Sequence, residues 1–301
     1  MKFAHFYRGL SHQFEADPTV TDYLIASRDA EKLLRQRKTE EALTAFLTLA
    51  EAKNITDIQK STALQQAASC ARNLKNYEQA NEIATRIPLE AVAKTEQMEN
   101  LLARRQFEEL IKQFGEENFN QWPFWQKGAG AFARAQAYAN VKAGDKAEAD
   151  LNTALEFTSD SRSRTSILLT MGTNRELNLN EDASALAAYQ QNFESAGRIG
   201  SSEQFQSVQG AARILTRQGK FDAALAALQR AEIENLKGTW RHTLLLSKGN
   251  TLTAANRTEE ALQTFQQIID DPSAAARHKN KARTEIKGVR NLLLKNQEKL
   301  R

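Results

Sequence analysis

Thr39-Glu40-Glu41-Ala42-Leu43-Thr44-Ala45-Phe46, near one end of the chain, recurs near the other as Thr258-Glu259-Glu260-Ala261-Leu262-Gln263-Thr264-Phe265. Weaker copies are Tyr77-Glu78-Gln79-Ala80, Phe107-Glu108-Glu109-Leu110 followed by Phe114, and Phe221-Asp222-Ala223-Ala224 followed by Leu228. Each reads as the opening of an amphipathic helix. The paired glutamates suit the positive end of a helix dipole, and Thr39 and Thr258 are placed to cap free backbone N–H groups. Alanine leaves room for a neighbouring helix, and the large apolar residue four positions on packs on the same face.

Twelve residues before each such alanine stands another small residue: Ala30, Ala68, Ala135, Ala212 and Gly249, with Met98 and Gly172 in two degenerate copies. Three positions further on come Leu33, Ala71, Tyr138, Leu215 and Leu252. The seven starts recur at a mean spacing of about 36 residues, the period of a repeat built from one helix pair. Residues 91–118 and 165–196 fit the pattern worst, which predicts local irregularity there. One helix pair cannot bury its own apolar face, so the pairs must stack and the ends must be capped.

The run from Leu245 and Gly249 through Ala261, Phe265 and Pro272 resembles a tetratricopeptide repeat, and Gly219-Lys220-Phe221 supplies the matching turn in another copy. The resemblance covers residues 21–272. It implies an all-α, right-handed α-solenoid of about seven antiparallel helix pairs. A short N-terminal element is expected over residues 1–20, broken at Asp17-Pro18. A basic C-terminal capping helix is expected within 273–301, where Ala282, Ile286, Val289 and Leu293 share a face by helical spacing.

Composition agrees with helix: four prolines and 13 glycines interrupt 301 residues. No stretch approaches the roughly 20 apolar residues that would span a bilayer. The opening Met1-Lys2-Phe3-Ala4-His5-Phe6-Tyr7-Arg8 is broken by polar residues, so a cytoplasmic chain without membrane partners is expected. The single cysteine, Cys70, excludes an internal disulfide and a cysteine-rich metal site, and reads as a small buried side chain on a helix. The formal charge of +4 is unevenly spread. Residues 273–301 hold nine Lys or Arg against two Glu, a local +7, which leaves −3 on the rest.

Sharper motifs do not hold up. Gly128-Ala129-Gly130-Ala131-Phe132-Ala133 fits a dinucleotide fingerprint in letters, but no strand precedes it. His5, His12, His242 and His278 form no pair with metal-ligand spacing. No nucleophile elbow, Walker loop or acid–base pair is present. A non-enzyme with no cofactor and no metal is the expectation. Trp122-Pro123-Phe124-Trp125, with Phe119, is the densest aromatic cluster. It reads as filling for the junction of an irregular repeat, with Pro123 in the first turn of the next helix; a peptide pocket anchored on Trp122 and Trp125 is the alternative. Arg283, Lys287 and Arg290 share one stripe that could meet phosphates. The array itself lacks basic charge, so nucleic acid is the runner-up partner rather than the first.

The tetratricopeptide resemblance implies a scaffold that binds an extended peptide or protein surface along the concave face lined by the first helix of each pair. Carried over by register, that face holds Gln65, Arg72, Asn73, Gln136, Asn140, Gln209, Arg213, Arg217 and Asn250. These amides and arginines suit a peptide backbone and acidic groups. Arg213 and Arg217 are read as free donors whose charge reversal spares the fold. The subclass that clamps chaperone C-termini uses a lysine where this chain has Ser27, Gln65, Thr95, Phe132, Leu169, Gln209 and Leu246, and only Asn250 meets its asparagine position. A third reading is a regulatory or recruiting module of a larger enzyme.

Overall fold

The computed structural model describes residues 18–194 and 199–299. Residues 1–17 lie outside them, and with them His5, His12 and most of the expected N-terminal element. Among the described residues there are fifteen α-helices, two short 3-10 turns and no strand. They fall into two compact units that divide between Asp160 and Ser161. The first holds α1 (Pro18–Arg35), α2 (Thr39–Ala50), α3 (Asp57–Asn73), α4 (Tyr77–Thr85), α5 (Glu90–Ala103), α6 (Phe107–Phe114), α7 (Phe124–Asn140) and α8 (Gly144–Phe157). The second holds α9 (Ser161–Leu177), α10 (Asp182–Glu194), α11 (Ser202–Arg217), α12 (Phe221–Gln229), α13 (Gly238–Ala254), α14 (Thr258–Asp270) and α15 (Ala276–Lys299). Within each unit the helices pack as consecutive pairs, and the first helices of neighbouring pairs also touch: α3 with α5, α5 with α7, α9 with α11, α11 with α13.

A shared turn closes the pairs. Six have three residues between the helices, the central one in the left-handed region: Arg37, Lys75, Arg105, Lys142, Gly219 and Asn256. The next residue's N–H reaches back over the helix end, as from Lys38 to the Leu33 carbonyl (3.0 Å) and from Arg257 to that of Leu252 (2.9 Å). This is the Schellman closure, which satisfies carbonyls that the helix leaves free. The left-handed residue lies seven positions after the small-residue position of the repeat in these six pairs, a position that Met98 holds in one of them, so backbone geometry and side-chain pattern report the same register. In α9–α10 the turn is one residue longer and Asn180 is left-handed, inside one of the two segments that fitted the repeat poorly.

These turns correct the expected capping at Thr39 and Thr258. Both residues are already helical, and the cap position belongs to Lys38 and Arg257, whose side chains cap nothing. Their ψ of 65° and 64°, imposed by the turn, is far from the extended geometry of an N-cap. The following glutamates pair with them instead, Lys38 Nζ with Glu41 at 3.1 Å and Arg257 Nε with Glu260 at 2.7 Å. Capping boxes occur at two first helices, on Thr56 with Gln59 and on Ser201 with Gln204.

Core packing follows the register. Ala42, Ala80, Leu110, Ala147, Ala185, Ala224 and Ala261 of the second helices are fully buried, and so four positions on are Phe46, Ala84, Leu151, Tyr189, Leu228 and Phe265. The facing first helix is small where the partner is large. A methyl placed on Gly172 would meet the Tyr189 ring at 2.5 Å and one on Gly210 would meet it at 2.6 Å. Gly249 lies against Phe265 in the same way. Cys70 is buried on α3, as its neighbours in the pattern require.

The other poorly fitting segment contains α6, only eight residues long, followed by an irregular stretch to Trp122. Arg134 of α7 organises it. Its Nε and Nη2 bond Asp150 at 2.7 and 2.8 Å, its Nη1 serves the carbonyls of Phe114, Gly115 and Glu117, and its plane lies 4.3 Å from the Phe119 ring. Phe119 and Trp122 are buried edge to face over Gly130, and Trp122 Nε1 donates to Glu117 at 2.9 Å. Pro123 precedes α7 as its cap instead of entering the first turn.

At the other end α15 docks on α13 and α14 through Ala282, Ile286 and Val289, all buried. Leu293 does not join them: the helix runs past the surface it covers and leaves that side chain 37% exposed. The entry to α15 is polar. His242 Nε2 meets Asp271 at 2.9 Å, Arg241 bonds the same oxygen, and His278 is buried with its ring 5.6 Å from that of His242.

Two measurements check this packing. Gly249→Ala should destabilise the chain by on the order of 1–3 kcal/mol through overpacking against Phe265. Gly288→Ala, on the exposed side of α15 with nothing near the added methyl, should stabilise it by about 0.5–1 kcal/mol; urea melts of the two variants distinguish them. Acid should weaken the docking of α15. Hydrogen bonds from Ser273 and from the adjacent His242 hold the Asp271 carboxyl well below the usual carboxylate range. Burial, with Arg277 and His242 adding, pushes His278 below its ordinary 6.5. Both groups bind fewer protons folded than unfolded, so their contribution is present near neutrality and falls as pH drops below 6.5, His278 first. The melting temperature should therefore fall from pH 7 to pH 5, and His278→Gln should flatten that fall.

Candidate protein-binding face

In the first unit the face is built by α3, α5 and α7. Gln65 and Arg72 are not free there. Gln65 Nε2 donates to Glu96 Oε1 at 3.0 Å and Arg72 Nη1 to Glu96 Oε2 at 2.5 Å, so one buried carboxylate of α5 ties down two side chains of α3. Asn73 is exposed one residue beyond. Glu99, one turn after Glu96, is partly buried. Burial pushes its carboxyl up, with Arg72 opposing and Glu96 adding to the rise. Gln136 and Asn140 turn back onto their own helix, Asn140 Nδ2 bonding the Gln136 carbonyl at 2.8 Å.

In the second unit the face is built by α9, α11 and α13, and the predicted residues converge. Gln209, Arg213 and Asn250 line one pocket of about 210 Å³, together with Ala212, Thr216, Ser247 and Thr251. Gln209 Nε2 reaches Ser247 Oγ at 3.3 Å, and the Thr216 and Thr251 hydroxyls stand 2.9 Å apart. Asn250 is exposed at the mouth. Arg213 grips the buried Glu176 of α9 with Nε at 2.9 Å and Nη2 at 2.6 Å, while half of its side chain remains open to solvent. Arg217 pairs with Asp182 and stands 3.7 Å from Glu176. The Tyr189 hydroxyl completes this cluster, donating to Glu176 at 3.0 Å. Its pKa is pushed up to about 12, chiefly by burial, so it remains a donor at any physiological pH.

Chemically the pocket offers amide, hydroxyl and guanidinium donors beside the methyl of Ala212, which suits hydrogen bonding to a backbone or an acidic side chain. Among the described residues no group of three or more His, Cys, Asp or Glu could hold a metal ion. No described helix is long and apolar enough to cross a membrane. The alternative aromatic site divides in two. Trp122 is buried in the irregular junction, whereas Trp125 is 41% and Phe124 63% exposed at the start of α7. Arg283, Lys287 and Arg290 are exposed on α15, away from its docked side.

Sequence reasoning missed the carboxylates. Glu96 and Glu176 lie near the small-residue positions Met98 and Gly172 of the two degenerate copies, where the register was least secure. The available signal was a glutamate at an inward helical position with arginine on an adjacent first helix, Arg72 before Glu96 and Arg213 after Glu176. Arg213 is not a free donor but is paired with buried Glu176, so its charge reversal would set a second carboxylate against that group. Arg213→Glu should cost about 1.5–3 kcal/mol, the worth of a hydrogen bond to a charged group. Gln209→Ala and Asn250→Ala should each stay within about 0.5 kcal/mol. Chemical denaturation of the three single variants tests this ranking.

No protein-family model matches the sequence, and no curated protein does. Among solved structures, a chain in the crystal structure of the APC/C hetero-tetramer Cut9–Hcn1 is similar over 94% of this chain and 54% of its own length, at 12% identity and a TM-score of 0.55. A tetratricopeptide repeat protein from Parabacteroides merdae ATCC 43184 is similar over 87% of this chain and 98% of its own, at 13% identity and a TM-score of 0.47. The TPR domain of P58(IPK) covers 92% and 99% at 13% identity and a TM-score of 0.29. The last two scores are too low to bear on the fold. The helix pairs, their shared register and the first likeness make the fold an all-α helical repeat of stacked helix pairs.

Proposed function

We propose that this protein is a non-catalytic interaction scaffold that holds an extended peptide or protein surface along the concave face formed by its first helices. The observation that carries the reading is the convergence of Gln209, Arg213 and Asn250 on one polar pocket between α11 and α13. These residues were selected by repeat register alone, and they are brought together with Thr216, Ser247 and Thr251 around an opening of side-chain size. A polypeptide laid across α11 and α13 meets alternating donors and acceptors there, and the open half of Arg213 faces any acidic side chain it carries. The buried Glu176 beneath, ion-paired to Arg213, keeps it oriented, so binding loses little rotamer entropy.

The first unit contributes differently. With Gln65 and Arg72 held by Glu96, its outward groups are Asn73 and Asn140 together with the partly buried Glu99. Nucleic acid is disfavoured as the partner because the excess of basic charge lies on residues 273–301, a local +7, while the remainder of the chain carries −3.

Gln209 and Asn250 hold no buried charge, so their joint replacement is the clean test. Gln209→Ala with Asn250→Ala should weaken capture of the native partner about tenfold or more, about 1.4 kcal/mol, and leave the melting temperature within a degree or two. A photo-crosslinking residue at Asn250 should label that partner, and one at exposed Gln229 on a second helix should not. Undiminished capture by the double variant would remove the pocket from the site.

A further inference from the structure

The second unit carries two features away from the first-helix face. One is a larger pocket of about 510 Å³ between α12, α13 and α14. Its floor is Leu228, Ile233 and Leu252, all buried, and Leu225 and Ala226 wall one side. Glu232, left-handed at φ 47°, turns the chain so that Ile233 enters this floor. The rim holds Asp222, Glu232, Glu234 and Glu260 against Lys248 and Arg257. Arg257 is engaged by Glu260 through two nitrogens at 2.7 Å, and Lys248 lies 3.8 Å from Glu234. An excess of negative charge therefore surrounds an apolar cavity, one within the size range of ligand pockets.

The other feature is the end of α15. Past Val289, where docking stops, Leu292, Leu293 and Leu294 are 52%, 37% and 58% exposed. Three consecutive helical positions point in three directions, so no single surface of their own chain covers them. Lys287 and Arg290 are exposed on the turns just before. The two features are opposite in charge and alike in apolar character, as is the chain at large, with +7 on residues 273–301 and −3 on the remainder.

We propose that the leucine-bearing end of α15 from one copy seats in the α12–α14 pocket of a second copy, with Lys287 and Arg290 against the acidic rim. The contact joins two different surfaces, so it is head-to-tail and each added copy presents a fresh pocket. It is independent of the first-helix face and leaves that face open for a partner. An anionic membrane would attract the same helix end, but it would leave the acidic rim unmatched.

Complementation tests the geometry. One variant carries Leu292→Asp and Leu294→Asp; the other carries Ala226→Arg and Glu234→Lys, all four sites being exposed. Sedimentation velocity of the unaltered chain over roughly two decades around micromolar concentration should show reversible association. Each variant alone should sediment as a monomer with an unchanged melting temperature. An equimolar mixture should form a dimer and nothing larger, because one variant supplies the intact pocket and the other the intact helix end. A monomeric unaltered chain at every concentration overturns the proposal, as does association that survives in either variant. Failure of the mixture to associate also overturns it, by assigning a symmetric contact. So does pelleting of a monomeric chain with phosphatidylserine vesicles that the leucine variant loses, which assigns the helix end to a lipid surface.

Discussion

Both units depend on two helix backbones crossing over a side chain no larger than a methyl group. Ala42, Ala80, Ala147, Ala185, Ala224 and Ala261 admit no solvent at all, and in all of these pairs but the one with Ala84 a ring or branch four residues later fills the space that the close approach defines. Close-packed interiors respond to single methylenes, so this constraint fixes both which residue is small and which is large. The exception is instructive. In α5–α6 the two positions hold Met98 and Leu110, and there the second helix stops after eight residues. The chain then crosses to α7 through an irregular loop that needs Arg134, with Asp150 and three carbonyls, to hold it.

The polar face has its own logic. Each unit buries a carboxylate on a first helix and holds it with cationic or amide side chains from an adjacent first helix: Glu96 of α5 with Gln65 and Arg72 of the preceding α3, Glu176 of α9 with Arg213 and Arg217 of the following α11. Removing one member of such a pair leaves an uncompensated charge in a poorly solvated place. The same side chains that a partner would meet therefore also fasten neighbouring repeats, and a loss of binding at Arg213 means little unless stability is measured beside it.

The octet at Thr39 and Thr258 carried the repeat, its period and the seven starts, because the small and large residues of a close crossing are few and regularly spaced. Gln209, Arg213 and Asn250, which line one pocket, could be assigned to one face by register for the same reason. What escaped depended on backbone geometry or on distance. Thr39 and Thr258 looked like caps until the Schellman turn set the preceding ψ near 65°. Leu293 shared the stripe of Val289, but periodicity does not say where the docking surface ends. Glu96 and Glu176 were hidden because burial of a carboxylate is decided by an arginine some 24 to 37 positions away in the chain.

Cys70 gives the molecule a native probe. It is the chain's one thiol, buried on α3 beside Ala71 and pushed toward the protonated form by that burial, with Arg72 opposing. An alkylating reagent reaches it only when α3 parts from its neighbours. Under excess reagent the labelling rate therefore reports the free energy of that local opening, with no second sulfhydryl to confuse the trace. Because the residue lies two positions from Arg72 of the Arg72–Glu96 clamp, ligand engagement on the first unit would register as slower labelling.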